Sequence, residues 1–287
     1  MRTLYDLPAP AKINLFLHII GRRADGYHLL QSVFLLLDWC DTLHIEARPH
    51  HSAISREDIQ ATDTPLPSED LTVRAARALQ AATGCRQGAH ISLDKRLPTQ
   101  AGLGGGSSDA ATTLLALNRL WGLGLSRSEL QHIGLKLGAD VPFFLGGHNA
   151  WVEGIGERLT PLSPAQQPPR TQWLVVKPTS GLDTPTIFSH PSLERNFKSA
   201  TISDFAAQHY DFGQNALQPV AQLLCPEISQ VLTWLQSQGL QGRMTGSGSA
   251  VFAAMPHTVN LLSANSKWQI KVCNNLELHP LAGWASD

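Results

Sequence analysis

From Ala11 to Ile19 the chain alternates, with Ala11, Ile13, Leu15, Leu17 and Ile19 on one side and Lys12, Asn14, Phe16 and His18 on the other. That period predicts a strand with one wholly aliphatic face. An Asp25-Gly26 turn signal follows, and then HLLQSVFLLLDW and DTLHIEA read as two further strands of an antiparallel start. The segment LTVRAARALQAATG places Leu71, Ala75, Ala78 and Leu79 on one helical face and stops at Gly84. After a strand at Ala89 to Leu93, a second helical face carries Ala110, Leu114, Leu117 and Trp121, with Ser107, Ser108 and Asp109 as N-cap types and Gly122 as terminator. A third helix opens on the capping box Ser126-x-x-Glu129 and ends at Gly138, with Asp140 just beyond. SPAQQPPRTQ loses apolar periodicity, as a linker does, so two domains are expected, 1–163 and 164–287, the last segment packing back on the first. Beyond it come a strand at WLVVKP, a helix start at DTPTIF with Pro185 in its first turn, an amphipathic helix at PEISQVLTWLQSQG, and a strand, glycine turn and strand at RMTGSGSAVFAAM.

Composition narrows what such a chain can do. Its 287 residues are 43% hydrophobic and 16% charged, enough for two cores. A formal net charge of -1 and a pI near 6.9 supply no basic field for nucleic acid or an anionic membrane, so any phosphate must be held locally. The four cysteines show no C-x-x-C pair, against a structural zinc site or disulfide framework, and a reducing cytoplasm is expected. No leader-like h-region opens the chain and no stretch approaches the roughly 20 apolar residues of a membrane span, so it reads as soluble and unprocessed.

Candidate chemistry centres on AGLGGGSSDA, where Gly102, Gly104, Gly105 and Gly106 lie between a strand and a helix. Residues without a Cβ let backbone N–H groups converge on an anion, and the following helix adds free donors and a favourable dipole. The loop is not a Walker A sequence, because Gly106 is followed by Ser107 instead of lysine, and G-x-G-x-x-G fails as well. Lys12 and Asn14 share a strand face, which by itself suits a solvated surface as well as a site. Asp140, between Ala139 and VPFFL, is either a turn residue or a partly desolvated base. Tyr27, His28 and Phe188 are core or ligand-stacking residues, and Thr245-Gly246-Ser247-Gly248-Ser249 is a hairpin turn or a second anion nest.

Three motifs in order, PAKINLFLHIIGRRADGYH, PTQAGLGGGSSDAATTLLALN and RMTGSGSAVFA, resemble the superfamily of galactokinase, homoserine kinase, mevalonate kinase and phosphomevalonate kinase, the GHMP kinases, over nearly the whole chain. LGADVPFFL and LELHPL resemble the branch that phosphorylates a cytidine diphosphate conjugate of methylerythritol. The resemblance implies an α+β fold, with a ribosomal-S5-like ATP-binding domain and a ferredoxin-like substrate domain, acting as a monomer or weak homodimer. It implies Lys12 and Asp140 as the catalytic pair, with the ATP phosphates on Pro98, Thr99, Gln100, Ala101, Gly102, Leu103, Gly104, Gly105, Gly106, Ser107 and Ser108. It also implies Mg²⁺ on Ser107 or Ser108, Asn14 at the substrate, cytosine between Tyr27 and Phe188 and bonded to His28, and Gly246 and Gly248 near the diphosphate. Within that superfamily the alternatives are a kinase for another small alcohol and a nucleotide sensor without activity, the latter disfavoured by the presence of both Lys12 and Asp140. One departure is Glu69-Asp70-Leu71, where these kinases often carry an asparagine able to donate to adenine.

Overall fold

The structure, a computed structural model, describes residues 3–60 and 65–287. The alternating segment lies in β1 (Thr3–Arg22), which turns at Asp25-Gly26 into β2 (His28–Arg48) and pairs antiparallel with it along almost its full length. The two strands expected after the turn are one. No glycine or proline interrupts Trp39 to Leu43, and Cys40 and Asp41 stay in the ladder opposite Pro10 and Ala9. On its other edge β2 carries β5 (Ala150–Gly154) against Leu30–Phe34 and β4 (Gly88–Asp94) against Thr42–Arg48. The short strands β3 (Ile54–Asp58), parallel to β4, and β6 (Arg158–Pro161), beside β5, complete this sheet.

Four helices cover one face: α1 (Leu71–Thr83), α2 (Gly105–Leu120), α3 (Arg127–Leu135) and α4 (Val141–Gly146). Asp70 caps α1 by accepting from the Val73 amide, Gly84 closes it at φ 68°, and the predicted capping box at Ser126 opens α3. The start of α2 differs from expectation. Its N-cap is Gly104 at φ 71°, so the helix begins inside the glycine run, and Ser107, Ser108 and Asp109 belong to its first turns. Glycine reaches that left-handed conformation at little cost, which lets the helix begin there.

The stretch read as a linker lies between β6 and the first strand of a second, antiparallel sheet. That sheet contains β7 (Gln172–Lys177), β8 (Arg243–Met244), β9 (Val251–Ala254) and β10 (Gln269–Asn274) in the order β10-β7-β9-β8. Numbered within the sheet this is 4-1-3-2, the ferredoxin-like order. The connection from β7 to β8 holds α5 (Thr184–Ser189), α6 (Ile202–Ala206), α7 (Gln218–Leu224) and α8 (Pro226–Ser237). Ile228, Val231 and Leu235 of α8 pack with Leu174 and Val176 of β7. Trp173, Val175 and Phe252 alternate to the other face and meet Ile13, Leu35 and Leu37 of the first sheet in one continuous core. Hence β1 is buried on both faces. Lys12 and Asn14, on a face that could have been solvated, are 4% and 1% exposed.

Residues beyond β10 cross back to the first sheet. The His279 amide donates to the Gly147 carbonyl (2.8 Å), Leu281 and Ala285 join the helix-side core, and the Arg127 guanidinium donates to the carbonyls of Leu145, Ala282 and Ala285. His279 is 2% exposed, and its Nδ1 accepts from the Leu281 amide. Burial, reinforced by Arg127, depresses the imidazole to about 4. Because the unfolded value is higher, near 6.5, the neutral ring contributes stability above pH 6.5 that is lost as pH falls through 6.5 toward 4. We expect denaturant titrations to show a loss reaching about 3 kcal/mol in that window. His279→Asn, which keeps an acceptor for Leu281, should flatten this part of the pH dependence.

Candidate functional site

A cavity of about 770 Å³ opens where the two sheets meet, and most of the residues singled out from sequence line it. Its floor is β1. Lys12 Nζ donates to Asn14 Oδ1 (2.7 Å), lies 3.4 Å from Asp140 Oδ2, and sits 4.4 Å over the Phe34 ring. Asn14 Nδ2 donates to Ser32 Oγ (2.9 Å), and its amide donates to Thr245 Oγ1 (2.9 Å). Both polar atoms of the Asn14 side chain are thus committed, and its amide oxygen fixes the Lys12 ammonium. Asp140 sits at the N-cap of α4 with its side chain 30% exposed, reachable from the cavity while resting against a buried cation.

The glycine run forms the adjoining wall. Residues 98–107 all line the cavity, whereas Ser108 turns inward, is fully buried, and its Oγ makes no hydrogen bond among the described residues. Gly104 offers no side chain to cap α2, and the first intrahelical bond is from the Ser108 amide to the Gly104 carbonyl (2.9 Å). The amides of Gly105, Gly106 and Ser107 therefore stand free at the positive end of a sixteen-residue helix, an arrangement suited to phosphate oxygens. A Cβ on Gly104 would come within 3.0 Å of Phe144 and 3.1 Å of the Lys12 stem, and one on Gly102 would collide with the Thr245 carbonyl oxygen. The loop is held in place by main-chain bonds on both sides. The Lys12 amide donates to the Leu103 carbonyl (2.9 Å), and the Ser249 and Ala250 amides donate to those of Gln100 and Ala101 (3.2 Å each). Gly246 and Gly248 line the same cavity beside this junction.

A second cavity of about 370 Å³ shares Leu30, Ile155, Thr184, Pro185 and Phe188 with the first, and Tyr27 and His28 line it. The structure brings the three aromatic residues to one place. His28 packs on Phe188 with 5.2 Å between ring centroids, and Tyr27, 60% exposed, stacks on no aromatic ring among the described residues. Tyr27 thus offers an open face at the mouth.

Asp70, the departure noted in the sequence, is occupied by structural work. Its Oδ1 accepts from the Val73 amide and Thr72 Oγ1 and pairs with Arg56 at 3.0 Å. A carboxylate caps the helix and pairs with that cation at once, which an asparagine could not.

Sequence reasoning missed a buried ionic cluster behind the glycine run. Lys95 Nζ pairs with Asp41 and, at 2.7 Å, with Asp109. Asp41 also accepts from the amides of Arg96 (2.6 Å) and Leu97 (2.7 Å), so it anchors the chain entering the loop. Burial pushes the Asp109 carboxyl up to about 8 against the pull of Lys95, with Asp41 adding to the rise. Burial alone would lower Lys95, but Asp109 and Asp41 hold its ammonium up at about 12. The only signal in the sequence was the pair Asp94-Lys95 before Pro98, indistinguishable from a surface charge pair.

Residues 70–148 match the model of the GHMP kinases N terminal domain, and residues 193–269 that of the GHMP kinases C terminal domain. The 4-diphosphocytidyl-2-C-methyl-D-erythritol kinase of Paracidovorax citrulli (strain AAC00-1) is 68% identical over 287 residues, spanning 100% of this chain and 99% of its own. The chain belongs to the GHMP kinase family. A relative of this GHMP kinase with the same name, from Acidovorax sp. (strain JS42), is 64% identical over 99% of both chains. The crystal structure of a 4-(cytidine 5'-diphospho)-2C-methyl-D-erythritol kinase superposes with a TM-score of 0.76 at 32% identity, covering 95% of this chain and 99% of that one. Homoserine kinase from Cytophaga hutchinsonii shares the fold, with a TM-score of 0.67 at 16% identity, over 97% of this chain and 96% of its own.

The buried cluster makes two testable demands on this GHMP kinase. Lys95→Met leaves two buried carboxylates without their cation, and urea unfolding should report a loss of about 3 to 5 kcal/mol. Asp109 titrates higher folded than unfolded, so its carboxylate charge costs stability as pH rises from about 4 to about 8. Asp109→Asn should therefore gain stability relative to the wild-type chain at pH 9 compared with pH 5.

Proposed function

We propose that this GHMP kinase transfers the γ-phosphoryl group of ATP to the 2-hydroxyl of 4-diphosphocytidyl-2-C-methyl-D-erythritol. The product would be the 2-phosphate, on the non-mevalonate route to isoprenoid precursors. The observation that carries this reading is the continuity of the two cavities. A wall of free helix-terminal amides, the Lys12–Asp140 pair and an aromatic pocket follow one another along a single cleft. An acceptor with a reacting hydroxyl, a diphosphate and a flat base at its far end matches that order.

In this reading the amides of Gly105, Gly106 and Ser107 hold phosphate oxygens of ATP, and the surrounding residues 98–107 shape the cradle. Asp140 accepts the proton of the attacking hydroxyl on Oδ1, because Oδ2 faces Lys12. Lys12, fixed by Asn14, orients that carboxylate and offsets charge on the transferring group. Asn14 acts on the substrate through Lys12 and through the neighbouring Thr245. No phosphoenzyme is needed, since positioning and charge stabilisation suffice for direct in-line transfer.

Among the described residues no group of three or more His, Cys, Asp or Glu side chains is arranged for a metal. A single hydroxyl facing the phosphate cradle fits magnesium, which keeps several waters and takes phosphate oxygens as ligands. Ser107 would hold it, because Ser108 is buried away from the cavity. Bound there, the ion would neutralise charge across the phosphate oxygens.

The base would stack between Tyr27 and Phe188 and bond to His28, while Gly246 and Gly248 leave room for the diphosphate. Among the described residues no helix is long and apolar enough to cross a membrane. The four cysteines are free thiols, which supports a place in the reducing cytoplasm.

A coupled assay of ADP release should show turnover with the cytidine substrate and none with mevalonate, homoserine or galactose; activity on one of those alone would sink the assignment. Asp140→Asn should lower turnover by several orders of magnitude while ATP affinity, measured by calorimetry, stays within about threefold. Tyr27→Ala and Phe188→Ala should each raise KM for the cytidine substrate, with roughly 1 to 3 kcal/mol of stacking at stake.

A further inference from the structure

His28 opens β2 opposite Arg22 of β1, and its environment is set by a residue from far along the chain. The Arg195 guanidinium makes four hydrogen bonds. Nε donates to His28 Nε2 (3.0 Å), Nη1 to the Leu193 carbonyl (3.0 Å), and Nη2 to the carbonyls of Phe188 (3.3 Å) and His190 (3.0 Å). One side chain thus ties the His28 ring to the segment that carries Phe188, the residue His28 packs against.

A guanidinium only donates, and it does not lose its proton in proteins. Nε2 of His28 must therefore present its lone pair. Protonating that nitrogen would set N–H against N–H and a cation beside a cation. The neutral ring then carries its proton on Nδ1, which has no hydrogen-bond partner among the described residues. Burial, followed by the charges of Arg195 and Arg22, lowers the basicity of the ring. The turn adds Tyr27 and the Arg23–Asp25 ion pair, and the segment after α5 adds His190 and Glu194; the charges acting on the ring are the two cations.

We propose that Arg195 is a positioning residue which locks His28 as the neutral Nδ1–H tautomer and clamps it to Phe188, so that the pocket presents one fixed ring donor to an acceptor edge of the base. Cytosine offers N3 and O2 as acceptors, whereas uracil carries a hydrogen on N3. The proposal rests on the cytidine reading for its ligand and on the hydrogen bonds for its tautomer, and the two parts are separable.

The tautomer is read first, in the ligand-free enzyme, by long-range nitrogen-proton NMR on histidine-labelled protein, with His28→Asn used to assign the signal. Protonated Nδ1, bare Nε2 and an imidazolium that forms only at lower pH than in an ordinary histidine are expected. An Nε2–H ring, or an ordinary titration near 6.5, overturns the proposal. Arg195→Met is then compared in steady-state kinetics. KM for the cytidine substrate should rise at least tenfold at pH 8, where the freed ring can place its proton on Nε2. It should recover in part at pH 5.5, where the imidazolium again carries a proton on Nδ1, while KM for ATP stays within about twofold. A rise in both KM values, or a rise for the cytidine substrate that acid does not relieve, means mere structural damage and overturns the positioning role. If the wild-type enzyme fails to phosphorylate the cytidine substrate at all, the functional reading falls. The tautomer measurement still decides the Arg195–His28 lock.

Discussion

The glycine run between β4 and α2 works only because its backbone is gripped from both sides. Lys12 donates its amide to Leu103 from the first sheet, and Ser249 and Ala250 donate theirs to Gln100 and Ala101 from the second. Gly102 lies where these meet, with no room for a Cβ beside Thr245. A loop held this way need not be ordered by its ligand, so phosphate binding would not have to supply the entropy of fixing it. The same junction brings Asn14, Thr245 and Lys12 together, joining the anchoring of the loop to the geometry of the Lys12–Asp140 pair.

Charge is handled differently at the two ends of this loop. Behind it, Lys95 is shared between two carboxylates, and all three side chains are nearly buried although Lys95 and Asp109 reach the lining of the cavity. In front, Lys12 meets Asp140 with the carboxylate still 30% exposed. In the rear cluster burial holds Asp109 ready to take up a proton, whereas in the proposed reaction the front pair would exchange one with what enters the cleft. Two lysines of one small domain, each 5% exposed and each on the lining of the cavity, thereby differ in their partners: one sits between two buried carboxylates, the other beside a single, partly exposed one.

The sequence made the local elements legible where local chemistry decides them. Gly84 ending α1, Ser126 opening α3 and the period of β1 were all readable from neighbouring residues. Lys12, Asn14 and Asp140 could be listed, but not weighed, because what covers the Lys12 and Asn14 face of β1 is Gly104, Asp140 and Thr245, about ninety to more than two hundred positions away. The start of α2 was misread for a related reason. Ser107 and Asp109 have the composition of caps, yet the left-handed turn at Gly104 lets the helix begin earlier, and Asp109 is drawn inward to Lys95. Arg195 gave no signal, since three of its four partners are main-chain carbonyls that any sequence supplies.

Arg127 carries one further consequence. It binds the carbonyls of Ala282 and Ala285, while Leu281 and Ala285 fill the core beneath the helices that hold Asp140. During synthesis on the ribosome, the segment containing Lys12 and the glycine run emerges early, but its core stays open until residues 279–287 have left the exit tunnel. The order in which the chain is made thus differs from the order in which its core can close, and the amino-terminal half must wait, partly uncovered, for a patch encoded more than a hundred positions later.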